Sequence, residues 1–94
     1  MTELSTPTIH LNGTSQSDLL RHLELAAMAI EAAERALRET CPNGRDYYPQ
    51  GEGAIVEATR QFRSRMERLE AVRAELEQIG EVVAFGGHVN EAAR

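Results

Sequence analysis

Five large apolar residues, Ile55, Phe62, Leu69, Leu76 and Val83, stand at steps of seven in the second half of the chain. A seven-residue repeat keeps one seam on one face of an α-helix and has no counterpart in the two-residue alternation of a strand. Ala58, Val72 and Ile79 fall between them. The pattern predicts a helix over about 52–80, fading at Gly80, with Val82 to Phe85 available for one more turn. A softer repeat precedes it: Leu19, Leu23, Ala26, Ile30, Ala33 and Leu37 alternate steps of four and three. It predicts a helix over about 15–40, with Ser15 to Ser17 near its start and Asp18 in the first turn, where a carboxylate meets the positive end of the helix dipole. Aromatic residues are only 4% of the chain and tryptophan is absent, which excludes an all-β domain.

Cys41-Pro42-Asn43-Gly44 breaks the first helix, since proline removes a backbone donor and Asn-Gly accepts turn geometry. The connector, residues 41–51, is longer than most links between paired helices and holds both tyrosines, Tyr47 and Tyr48. The expected fold is therefore all-α: a two-helix antiparallel hairpin over 15–83, preceded by an arm (1–14) that orders only by docking and followed by a flexible tail (84–94). Two helices cannot cover two apolar seams alone, so the hairpin is expected to oligomerise into a helical bundle assembly.

Net charge is −5, against a general binder of DNA or RNA. Yet all ten basic residues are arginines, and Arg60, Arg63, Arg65, Arg68 and Arg73 cluster in a segment whose only acids are Glu67 and Glu70. At 100° per residue, Arg65 and Arg73 lie about 40° to either side of the Leu69 direction. A guanidinium at the edge of a seam needs a partner, either an acid such as Glu31 or Glu34 across an interface or an anionic ligand such as a phosphate. His10, His22 and His88 show no metal-ligand spacing, Cys41 has no second cysteine, and no nucleophile-elbow or phosphate-loop motif occurs. No catalytic residue, metal or cofactor is expected, and the chain reads as no enzyme. With no apolar run near the ~20 residues of a membrane span and no leader pattern, it is expected in the cytoplasm. In the connector, Tyr47 and Tyr48 offer stacking surfaces and Asn43, Arg45 and Gln50 offer polar groups, the chemistry of a nucleotide pocket; equally, an aromatic loop between prolines closes the open end of a bundle.

Taken together, Ile-His-Leu-Asn-Gly-Thr-Ser before the first helix and Pro-Asn-Gly-Arg-Asp-Tyr-Tyr-Pro-Gln-Gly between two alanine-rich helices resemble the helical hairpin domain of the phage anti-CBASS protein 2 family, a domain also found in certain anti-Thoeris sponges. The likeness covers about residues 9–80 and is most specific over Asn43 to Gly51. It implies a small homo-oligomer, a hexamer, that binds cyclic dinucleotides such as cyclic GMP-AMP and cyclic trinucleotides in pockets between protomers. Such a protein holds these immune messengers inside the infected bacterial host without cleaving them. The sheet-bearing region that longer relatives use for cyclic ADP-ribose isomers has no room here. By the resemblance, Asn12, Gly13 and Thr14 match the segment before the first helix, and Asn43, Arg45, Asp46, Tyr47, Tyr48 and Gln50 match the loop; of these all but Asp46 are candidate ligand contacts. Arg65 and Arg73 complete the candidate ligand set from the helix-wheel argument. The competing expectation is a structural or protein-interaction hairpin oligomer with no nucleotide ligand.

Overall fold

The computed structural model describes residues 3–88. Residues 1–2 of the expected arm and 89–94 of the expected tail lie outside them. The chain forms two helices, α1 (Gln16–Arg38) and α2 (Gly53–Ala84), packed against each other as an antiparallel hairpin. Ser15 stays extended at φ −64°, ψ 153°, and its Oγ accepts from the Asp18 amide at 3.1 Å, so one orphan donor of the first turn is satisfied. At the far end of α1 the Thr40 hydroxyl donates to the Leu37 carbonyl at 2.7 Å. Two single 3₁₀ turns, Gly44–Asp46 and Tyr48–Gln50, fill the connector, and Gly51 supplies the left-handed φ of 109° from which α2 departs.

α2 does not stop at Gly80; it runs four residues further and ends at a double glycine. Gly86 and Gly87 take φ of 107° and 86°, and their amides donate to the carbonyls of Val83 (3.0 Å) and Val82 (2.8 Å), the paired bonds of a Schellman cap. Residues 84–88, expected as the start of a loose tail, are thus helix end and cap. The arm docks on them: Thr8 pairs with Gly87 in an antiparallel bridge, and the His88 amide donates to the Pro7 carbonyl at 2.7 Å. A Cβ on Gly87 would sit 2.8 Å from Ile9 Cγ1, so the close approach of the arm needs glycine there. Gln16 ties the two helices at this end, its amide donating to the Val83 carbonyl at 2.8 Å. Gln16→Ala should cost about 1 kcal/mol and raise amide exchange at Gly86 and Gly87 before it affects the middle of α2.

The seam keeps most of the apolar positions read from the sequence, with Ile55, Ala58, Phe62, Leu69, Leu76, Ile79 and Val83 of α2 all buried or half-buried, and departs from that reading at Val72, Ala26 and Ala33. On α1 the inward positions are Leu19, Leu20, Leu23, Ala27, Ile30, Glu34 and Leu37, while Ala26 and Ala33 are exposed. On α2, Leu69, Arg73 and Leu76 face α1 and Val72 is turned out, 45% exposed. Where the seam departs from the apolar reading, an ion pair at matching heights on the two helices sets Arg73 and Glu34 among the inward apolar residues. The hairpin spans 65 × 26 × 17 Å, and among the described residues only Val83 and Glu34 are fully buried. Its accessible surface is 7365 Å², whereas a compact protein of 10.4 kDa exposes about 5,400 Å².

Candidate functional site

The connector folds back over the first turns of α2 and borders an open pocket of about 360 Å³. Tyr47 and Gln50 come from the loop, Thr40 and Pro42 from the turn that follows α1, and Gln61 and Arg65 from α2. The α2 members Ala54, Ala58, Gln61 and Arg65 recur at steps of four, three and four, so one helix face supplies that whole wall. Tyr47 is half-buried, whereas Tyr48 is 76% exposed and points an aromatic ring into solvent beside the pocket's rim.

Asn43 shapes the loop: its Oδ1 accepts from the Arg45 amide at 2.9 Å and from Arg45 Nε at 3.5 Å. The side chain thereby starts the first 3₁₀ turn, as an Asx cap does. Arg45 and Arg65 are exposed and make no ion pair among the described residues. Glu57, also in the pocket wall, is committed elsewhere. It accepts from Arg60 Nε at 2.9 Å and from Gln61 Nε2 at 3.1 Å, and these donors hold its carboxyl down at about 2. At neutral pH the pocket therefore presents one aromatic ring, two amides and the Arg65 guanidinium, with its single carboxylate already engaged.

Arg73 lies elsewhere, in the middle of the hairpin. Its Nε donates to Glu34 Oε1 at 2.6 Å, its Nη2 to Glu34 Oε2 at 3.3 Å and its Nη1 to Glu77 Oε1 at 2.9 Å. The partner foreseen across an interface is thus an acid of the same chain. The fork holds the Glu34 carboxyl below the usual carboxylate range and pushes the Arg73 guanidinium up. Both carboxylates draw on the same guanidinium, so Arg73 is taken up in holding α1 to α2.

Asn12, Gly13 and Thr14 are exposed at the opposite end from the loop, separated from it by the length of α1, about 35 Å at 1.5 Å per residue. The Gly13 amide closes a turn onto the His10 carbonyl at 3.1 Å. A single chain accordingly joins Tyr47, Gln50 and Arg65 in one pocket, keeps Asn43, Arg45 and Tyr48 in the loop beside it, and leaves Asn12, Gly13, Thr14 and Arg73 apart. The sequence reading missed Thr40, Pro42, Glu57 and Gln61. The signal was present, because Glu57 and Gln61 precede Arg65 at successive steps of four on one helix face. Among the described residues no three His, Cys, Asp or Glu side chains come together as a metal-binding group, and no helix is long and apolar enough to cross a membrane. No family model matches the chain, and neither a curated protein nor a solved structure matches it.

Proposed function

We propose that the protein binds and sequesters cyclic oligonucleotide second messengers of bacterial anti-phage immunity, cyclic dinucleotides such as cyclic GMP-AMP and cyclic trinucleotides, without cleaving them. It acts as a homo-oligomer of hairpins, a hexamer by its resemblance to the anti-CBASS protein 2 family, in the cytoplasm of the infected bacterium. The observation that carries this reading is the loop pocket, where Tyr47, Gln50 and Arg65 converge. These groups match a base to stack, base edges to hydrogen-bond and a phosphate to fork. At about 360 Å³ the pocket lies near the small end of the range for ligand sites, room for one nucleotide of a ring. A symmetric copy of the chain supplies the equivalent pocket for the next nucleotide, so cyclic ligands with repeated units suit a symmetric assembly.

Sequestration needs no chemical step. It lowers free messenger by mass action and requires dissociation constants on the order of nanomolar and an abundant protein. The test is to load the purified protein with cyclic GMP-AMP or cyclic tri-AMP, remove free ligand, denature with heat and identify what is released. Recovery of intact cyclic ligand is the expected result. Linear products would mean an enzyme, and no retention would mean a purely structural hairpin oligomer. That second reading has one observation in its favour: Arg73, one of the candidate phosphate contacts, is held by Glu34 and Glu77.

A further inference from the structure

Two patches on one side of the hairpin are complementary in charge. The first is a groove of about 630 Å³ between the helices, toward the α1 start and α2 end. Leu20, Leu23, Met28 and Leu76 form its floor, and Met28 is 58% exposed. Its rim is acidic, with Glu24 and Glu31 on α1 and Glu81 on α2, besides Glu77, which Arg73 engages. The second patch lies near the start of α2. There Ile55 and Val56, the latter 69% exposed, are flanked by Arg60, which pairs with Glu57, and by Arg63, which makes no ion pair among the described residues.

Position makes the match reciprocal. The α2 residues of the groove centre about ten residues after the middle of α2 and those of the patch about ten before it, some 15 Å to either side. Around the helix the two sets lie about 60° apart, so they share one side of α2. A two-fold axis through the middle of α2 would therefore set each copy's patch into the other's groove at once, the self-complementary condition of an isologous dimer. One hairpin's surface of 7365 Å² exceeds that of a compact protein of its mass by about 2,000 Å², more than the ~800 Å² that each partner of a standard-size interface buries.

We propose that the occupant of the acid-rimmed groove is the arginine-flanked Val56 patch of a second copy, giving an antiparallel, two-fold pair as the unit from which the assembly is built. The inference rests on the oligomeric part of the function proposed above and is independent of the ligand. The α2 wall of the loop pocket lies about 140° around the helix from these faces, so pairing leaves that pocket open. Like charges brought together in this interface would oppose it, which makes the pairing testable by exchange.

One variant carries Glu24→Arg with Glu81→Arg, the other Arg60→Glu with Arg63→Glu, and the mass of each full-length protein is read by native mass spectrometry, with circular dichroism checking helix content. Each variant alone should be lighter than the wild-type assembly. An equimolar mixture should regain the wild-type mass, because both interfaces of the mixed pair then join opposite charges. If either variant is poorly helical, Glu81→Arg and Arg63→Glu as single changes replace it. Variants that keep the wild-type mass alone, or a mixture that stays as light as its components, would overturn the pairing. Cyclic-ligand retention is measured on the same samples, so loss of the pairing and loss of ligand binding are read separately.

Discussion

Arg73→Ala lowers the melting temperature by roughly 15 °C or more, because it strands the carboxylate of Glu34, 1% exposed, in the seam between the helices. Glu34 is held by the fork of Arg73 from across the hairpin, and no other side chain on α2 hydrogen-bonds it. Arg73→Lys recovers part of the loss at most, since an ammonium cannot meet both carboxylate oxygens and Glu77 with the geometry of a guanidinium. Removing both charges, as in Glu34→Leu with Arg73→Leu, restores much of the stability, because an apolar pair of similar volume needs no countercharge.

The dependence on pH has the opposite sign in the wild type and in Arg73→Ala. In the folded wild type the Arg73 hydrogen bond, aided by the charges of Arg38 and Arg35, keeps the Glu34 carboxyl below its ordinary 4.5. The folded state then binds fewer protons than the unfolded state, so this contribution is complete above about 4.5 and is lost as pH falls through the folded value. In Arg73→Ala, burial without a partner raises the same carboxyl, so acidification relieves part of the defect. Thermal melts between pH 7 and pH 3 separate the two. Parallel pH profiles for wild type and variant would show that Glu34 is not the group in play.

The same pair accounts for part of what the sequence left unread in a fold and a seam that were otherwise legible. Steps of seven from Ile55 to Val83 belong to no structure but a helix, and Pro42 with two Asn-Gly turns marks where helix cannot continue. Counting apolar residues assigns Val72 inward and selects Ala26 and Ala33 over Ala27 and Glu34, although the helix wheel sets Arg73 at the seam's edge with Glu34 among its candidate partners. That Arg73 takes Glu34 of its own chain, 39 residues away in sequence, is visible only once the helices are set antiparallel at the right height. Gly80 misled in the other direction. Glycine weakens an isolated helix by about 1 kcal/mol, yet α2 passes through it to the cap that Gly86 and Gly87 form. The loop pocket was half legible. Tyr47, Gln50 and Arg65 were identifiable by chemistry, but their convergence depends on two 3₁₀ turns whose start is set by one Asn43 side chain.

That convergence distinguishes the two tyrosines, which the sequence places side by side and the fold does not. Tyr47 is half-buried in the pocket wall with residues of α2 and of the turn that follows α1, while Tyr48 is 76% exposed at the rim. A ring that stacks on a nucleobase adds roughly 1 to 3 kcal/mol of binding, a factor of about ten to a hundred in affinity. Tyr48→Ala is expected to show that loss with the melting temperature unchanged, because the folded chain makes little use of the ring. Tyr47→Ala removes a wall that also closes the loop end of the hairpin, so melting temperature and affinity fall together. Tyr47→Phe then tells packing from hydrogen bonding: it keeps the ring, preserves the fold and loses affinity only if the hydroxyl meets the ligand. Calorimetric titration with cyclic GMP-AMP and cyclic tri-AMP, beside thermal melts of the three variants, gives both quantities on the same samples. A folded Tyr48→Ala protein that binds both ligands as tightly as the wild type would remove Tyr48 from the site. A folded Tyr47→Ala protein that did the same would remove the loop pocket itself and leave the hairpin as a structural element.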